Sequence, residues 1–210
     1  MTAPRVGVLA LQGAFREHIQ ALERLGAEAF PMRTEADLEQ ADAVVLPGGE
    51  STTMDKLLRK FNLQQPLRRR LREGMPAMAT CAGLILLART VVDGLPDQES
   101  LDILPIAVRR NGYGRQPDSF QADVDVDGLD RPFPGVFIRA PLIDDLDAEV
   151  DVIATDAGRP VGVRGGPRDT VVGLAFHPEL SQDDRLHRYF LDIVEEADAH
   201  GRTSPKAAEG

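Results

Sequence analysis

Residues 75–88 read Met-Pro-Ala-Met-Ala-Thr-Cys-Ala-Gly-Leu-Ile-Leu-Leu-Ala, MPAMATCAGLILLA. A short apolar run meets a cysteine, then two small residues, then a second apolar run. That order predicts a strand over Met75–Thr80, a sharp turn at Cys81 and a helix opening at Ala82-Gly83. Ala79, Ala82 and Gly83 keep the flanks small, as a tight nucleophile elbow requires. A helix N-terminus just beyond the cysteine favours the thiolate form. A buried, chemically inert cysteine fits the same segment, because free cysteine is among the most buried residue types.

The neighbouring segments repeat the alternation of strand and helix. Val6–Leu11 is a nearly continuous apolar run, the pattern of a strand covered on both faces. Phe15, Ile19, Leu22 and Leu25 then fall on one helical stripe that Gly26 stops. Ala27–Met32 reads as a second strand, Glu35–Gln40 as a short acidic helix and Asp42–Leu46 as a third strand, halted by Pro47-Gly48-Gly49. Met54, Leu57, Leu58 and Phe61 have helical spacing, and Pro66–Glu73 predicts one more helix. Repeated strand–helix units predict an α/β fold with a mostly parallel sheet and helices on both faces. Short runs broken by Gly, Pro and Asp follow: Ile103–Val108, Gln121–Val126, Val136–Ile138, Val150–Ala154 and Val161–Val163. They predict antiparallel additions before a last core strand, Val171–Phe176. Leu186, Phe190, Ile193 and Val194 mark a final helix. The polar, small-residue tail, 199–210, is expected to be disordered, leaving one domain over residues 1–198.

The bulk numbers exclude some functions. The net charge of −10 argues against nucleic acid and anionic membranes as main partners. Arg68, Arg69, Arg70 and Arg72 form a local basic run, read as a solvated helix face. A single cysteine makes no internal disulfide. The first apolar run is too short for a signal-peptide core or a membrane span. A cytoplasmic protein is expected.

A thiolate nucleophile needs a base and a group to orient it. Of four histidines, His18 falls mid-helix beside Glu17, His187 on the final helix and His200 in the tail. His177 stands apart at the carboxyl end of an apolar strand. Pro178 disfavours the α region for it, and in an extended segment His177 and Glu179 project to the same side. Pro47-Gly48-Gly49 ends another strand, and its backbone N–H groups are candidates for an oxyanion hole. Ser51 or Thr52 after it reads as a helix N-cap.

Taken together and in this order, the elbow cysteine, Pro-Gly-Gly-Glu-Ser and His-Pro-Glu resemble the class I, triad-type glutamine amidotransferases. LQGAFREH (11–18), LPGGESTTM (46–54), TCAGLILLA (80–88), RNGYGRQ (110–116), DSF (118–120), VFIRAP (136–141) and FHPEL (176–180) narrow the likeness to the glutaminase subunits of pyridoxal 5′-phosphate synthase. It spans residues 5 to about 197. The resemblance implies a flavodoxin-like three-layer α/β/α architecture, with Cys81 as nucleophile, His177 as base and Glu179 as its orienter. It implies L-glutamine binding at Gly49, Glu50, Ser51, Arg110, Ile138 and Arg139, and an oxyanion hole at Gly48 and Gly49. It implies no cofactor and no metal. As the protein partner that consumes the ammonia, it implies a separate (β/α)8-barrel synthase subunit. The chemistry fits, since Arg offers a planar fork for a carboxylate and Glu50 a counter-charge for an ammonium. Two positions depart from the usual pattern: Ala79 stands where members often have Gly, and Tyr113 where Phe is common. Two other readings compete. A cysteine hydrolase or peptidase on a similar scaffold has no need of Glu50-Ser51 or the two arginines, and a binding module that keeps only the fold has no need of Cys81, His177 and Glu179.

Overall fold

Val6, Val8 and Leu9 have no exposed surface, as their strand's all-apolar pattern requires. In the computed structural model, which describes residues 3–95, 97–110 and 119–203, that strand is β1 (Arg5–Leu9). It lies between β2 (Glu28–Met32) and β3 (Ala43–Leu46), parallel to both. Next to β3 come β4 (Ala77–Thr80) and then β12 (Val171–Leu174), again parallel and wholly buried. β11 (Arg159–Gly165), β10 (Asp151–Asp156), β7 (Ser119–Val126) and β8 (Phe133–Ile138) continue the sheet antiparallel. The order is β2-β1-β3-β4-β12-β11-β10-β7-β8. A smaller sheet joins β5 (Ala88–Val91), β6 (Leu104–Arg109) and β9 (Leu142–Leu146).

The chain steps outward from β1 to β2 through α1 (Phe15–Arg24), then back past β1 to β3 through α2 (Glu35–Glu39). It goes on to β4 through α3 (Ser51–Lys60) and α4 (Gln64–Arg72). With right-handed crossovers this reversal puts α1 on one face and α2–α4 on the other. The last helix, α6 (Arg185–Thr203), packs against α1, and α5 (Ala82–Leu87) packs on β4 beside α3. The expected α/β sheet with antiparallel additions forms, its strands β2, β1, β3, β4 and β12 parallel, but the additions extend so far that the large sheet as a whole is mixed.

The differences have physical causes. β5 and β9 were not expected; Arg89, Thr90, Asp144 and Asp145 break any apolar pattern there, and pairing with β6 makes the strands. α6 runs to Thr203, five residues past the expected domain boundary at 198. Residues 204–210 of the tail lie outside the described residues, as do 111–118, which hold Tyr113 and most of the RNGYGRQ stretch. The basic run on α4 is not one solvated face. Arg68 donates to the carbonyls of Ser100 and Leu101, and Arg70 to that of Ala41. Only Arg69 and Arg72 are exposed, paired with Glu35 and Asp102.

What matters for function is the register. Leu46 lies opposite Ala79, and Ala79 opposite Gly173. The carboxyl ends of β3, β4 and β12 are therefore level, and the segments leaving them emerge side by side, next to the β1/β3 pair at which the strand order reverses. In open α/β sheets ligands bind beyond the carboxyl ends of the strands.

Candidate active site

Cys81 leaves β4 with φ 48° and ψ −104°, a backbone region that side-chain-bearing residues rarely adopt. Its N–H still donates to Leu174 O of β12 at 2.8 Å, so the sheet holds the strained turn. Gly83 is required next: a Cβ there would overlap the Leu46 carbonyl of β3. The thiol is largely buried and faces the Ile138 carbonyl of β8 at 3.8 Å.

His177 does sit beyond β12, and its N–H is fixed by Val136 O of β8 at 2.8 Å. Its Nδ1 lies 2.8 Å from Glu179 Oε1, both side chains being buried. The expected route to this pair is corrected. β12 ends at Leu174, and Pro178–Leu180 is a 3-10 turn rather than an extended segment. The turn, with proline at its first position, curls Glu179 back to its neighbour. Burial opposes a charge on His177, but hydrogen bonding to Cys81 and Glu179 overrides it and pushes the imidazole pKa up to about 10. Glu179 is also buried, yet the facing His18 and His177 hold its carboxyl below the usual range.

Gly48 packs against the His177 ring so closely that a Cβ would overlap it at Cε1. The Gly48 carbonyl accepts from Ala14 N–H at 3.3 Å. The peptide is planar, so the Gly49 N–H points the opposite way. Gln12 comes from the end of β1; its Oε1 accepts the Glu50 N–H at 2.8 Å, and a Cβ on Gly49 would collide with the same side chain.

Glu50, not Ser51 or Thr52, is the N-cap of α3. Its carboxylate accepts from the N–H and hydroxyl of both Thr52 and Thr53. Partial burial opposes its charge, but these donors hold its pKa at about 2. Arg110 reaches Glu50 Oε1 at 3.4 Å and Gln98 Oε1 at 3.2 Å, and Gln98 in turn donates to Ser51 Oγ at 3.2 Å. The structure thus brings Glu50, Ser51 and Arg110 into one ring of polar contacts, with Gln98 as a member that the sequence reading did not single out. Ile138 presents its carbonyl to the thiol. Arg139 follows it, exposed and with φ 42°.

Two more residues were missed. His18 and His187 have no exposed surface. His18 Nε2 lies 3.3 Å from Glu179 Oε2, and His18 Nδ1 lies 2.9 Å from His187 Nε2. The signal was in the spacing: His18 falls three residues after Phe15 and four before Leu22, on the apolar stripe of α1. His187 is likewise three residues before Phe190 on α6.

Fold and side chains together define a doubly wound α/β protein with a thiol, an imidazole and a carboxylate gathered at the carboxyl ends of its central strands. The chain belongs to the SNO glutamine amidotransferase family, whose profile matches residues 8–196. It is 54% identical over 197 residues to the pyridoxal 5′-phosphate synthase subunit PdxT of Acidothermus cellulolyticus, covering 91% of this chain and 94% of that one. Against PdxT of a Nocardioides species the identity is 50%, covering 93% and 98%. A crystal structure of a glutamine amidotransferase superposes with a TM-score of 0.84 at 49% identity, covering 90% of this chain and 98% of the other. A chain of PurLQS from Thermotoga maritima shares the fold, at 18% identity and a TM-score of 0.68, covering 92% of this chain and 100% of that one. No helix among the described residues is long and apolar enough to cross a membrane.

Proposed function

We propose that the protein hydrolyses L-glutamine to L-glutamate and ammonia through a thioester on Cys81, and hands the ammonia to a separate synthase subunit that builds pyridoxal 5′-phosphate. The observation that carries the chemistry is the 2.8 Å contact of His177 Nδ1 with Glu179 Oε1, beside a cysteine held at a strained elbow. With Nδ1–H given to the carboxylate, Nε2 is the nitrogen left for the thiol. The Cys81 thiolate attacks the side-chain amide carbon. The imidazolium gives its Nε2 proton to the departing nitrogen, which leaves as ammonia. Neutral His177 then takes a proton from water as the hydroxide adds to the thioester, and collapse frees glutamate and the thiolate. Glu179 stays ionised and steadies the imidazolium.

The oxyanion of each tetrahedral intermediate needs donors fixed in advance. Cys81 N–H is committed to the sheet, so Ala82 N–H, at the first residue of α5 where no intrahelical acceptor exists, and the Gly48-Gly49 turn supply them. Glutamine's α-ammonium is met by Glu50 and its α-carboxylate by Arg110 and Arg139, with Gly49, Ser51 and Ile138 shaping the pocket. The family membership and the PdxT relatives support partnership with a synthase subunit. The single cysteine, which makes no internal disulfide, supports a cytoplasmic location.

The test measures glutamate and ammonia release from glutamine, with and without the synthase subunit. Wild type is expected to release both in equal amounts, faster with the partner, and Cys81→Ala to release neither while keeping its fold. Full activity in Cys81→Ala would overturn the assignment, and peptide cleavage without glutamine turnover would favour the hydrolase reading.

A further inference from the structure

We propose that His18, held by His187, is a positioning residue of the reaction: from the far side it donates its Nε2–H toward Glu179 Oε2 and so aims Oε1 at His177. The claim rests on the catalytic reading of Cys81, His177 and Glu179 above.

The geometry runs as a buried relay through three elements. His177 Nδ1 meets Glu179 Oε1 at 2.8 Å. Glu179 Oε2 is enclosed and has no aligned hydrogen bond among the described residues; His18 Nε2 faces it at 3.3 Å. The same Nε2 lies 3.3 Å from Thr80 Oγ1 on β4, one residue before Cys81. The Nε2 edge of His18 faces both oxygens, and Oε2 meets it as a charge–dipole contact without an aligned hydrogen bond. That edge also ties the carboxylate to the strand that carries the nucleophile.

The proton positions follow from counting. Burial is the largest influence on both imidazoles and lowers both pKa values, that of His187 to about 3. Each ring is therefore neutral and carries one proton. Glu179, ionised, can only accept, so the His18 proton belongs on Nε2. His18 Nδ1 is then an acceptor, and the 2.9 Å contact requires the His187 proton on Nε2. His187 Nδ1 is left a bare lone pair, and it is the His187 nitrogen that has no partner among the described residues. Without His187, nothing in this chain of contacts would keep the His18 proton off Nδ1. The charges around the relay are His177 on the 3-10 turn, Glu17 on α1, and Asp184 with Arg24, which pair at 2.6 Å near His187.

Catalysis and folding make different demands here. A purely structural histidine pair would be replaceable by any well-packed side chains. A positioning residue needs a donor at Nε2. The amide nitrogen of glutamine can occupy that place, whereas leucine fills the volume without a donor. His18→Leu is expected to lower kcat about 10- to 100-fold, as outer partners of an oriented site do, with the KM for glutamine within about twofold. The acid limb of kcat should move to higher pH, because Glu179 loses a group that favours its ionised form. His18→Gln should restore most of kcat and return the limb. Equal activity in wild type and His18→Leu, or equal losses in the Leu and Gln variants with no movement of the limb, would overturn the proposal. Nitrogen-15 NMR of histidine-labelled wild type provides a reading that needs no variant to fold and no turnover. It should show His18 and His187 neutral and protonated on Nε2 from pH 5 to 9. Protonation of His18 on Nδ1, or an imidazolium there, would refute the relay whatever Cys81→Ala does.

Discussion

Gly48 is the residue whose smallest enlargement tests the site most sharply. It packs against the His177 ring, and a Cβ built there would stand 2.8 Å from Nδ1 and 3.2 Å from Nε2, nearer still to Cε1. Ordinary contact begins near 3.4 Å, so in Gly48→Ala the ring must retreat by about an ångström or the turn must lift away. A misplacement of about 1 Å in a catalytic group costs on the order of 100-fold in rate, or about 2.7 kcal/mol of barrier. Gly48 has no positive φ, so alanine adds no backbone strain and the loss should be almost wholly in kcat. Glutamate production, followed over a range of glutamine concentrations, checks this. Gly26→Ala is the matched control. There φ is +88° and nothing among the described residues lies within 4 Å of the added carbon. That variant should lose about 1–2 kcal/mol of stability and none of its kcat. A Gly48→Ala enzyme with kcat within twofold of wild type would show that His177 does not work from the position described.

Glu179→Gln should lower kcat at least about 100-fold with little change in glutamine KM, since the nucleophile and pocket remain; unchanged turnover would make another group the orienter. The pKa of His177 is pushed up to about 10, and in the proposed reaction the imidazolium delivers its proton to the leaving nitrogen. The alkaline limb of kcat/KM should therefore lie well above 8, and a limb near the ordinary histidine value would contradict the pairing with Cys81 and Glu179. Glu50 has its pKa lowered from 4.5 to about 2, so its capping contribution is complete above pH 4.5 and is lost as the pH falls through 2. Glu50→Ala should cost about 1 kcal/mol at neutral pH and flatten that part of the acid-denaturation profile, read by thermal melts from pH 2 to 6. Amides lacking the α-amino or α-carboxyl group should turn over at least about 100-fold more slowly than glutamine; equal turnover would show that Glu50, Arg110 and Arg139 do not select the substrate.

The central strands were legible because burial on both faces leaves no room for polar residues. β1, β3, β4 and β12 declare themselves as apolar runs, and the elbow as a cysteine among small side chains. Where the reading failed, a long-range contact had decided the outcome. β9, Leu-Ile-Asp-Asp-Leu, has no strand pattern of its own and forms because β6 supplies its partners. The His177–Glu179 pair was anticipated, but alternation along a strand was the wrong reason; a proline-led 3-10 turn makes it. Ser51 and Thr52 looked like caps by residue type, yet the carboxylate of Glu50 reaches two threonine hydroxyls as well as two N–H groups. His18 sat on an apolar helical stripe and reads as core from sequence alone. Only the fold shows that the core at that point is the back of the Glu179 carboxylate.

The backbone at Cys81 sets fitness and stability against one another. A φ of 48° with ψ −104° holds about 1–3 kcal/mol of strain, which glycine at the same place would not feel. A chain with glycine at position 81 would therefore be the sturdier molecule and, by the proposed reaction, an inert one. Drift toward thermal robustness at this position leads away from activity, and gains in robustness have to come from elsewhere in the sheet and its helices.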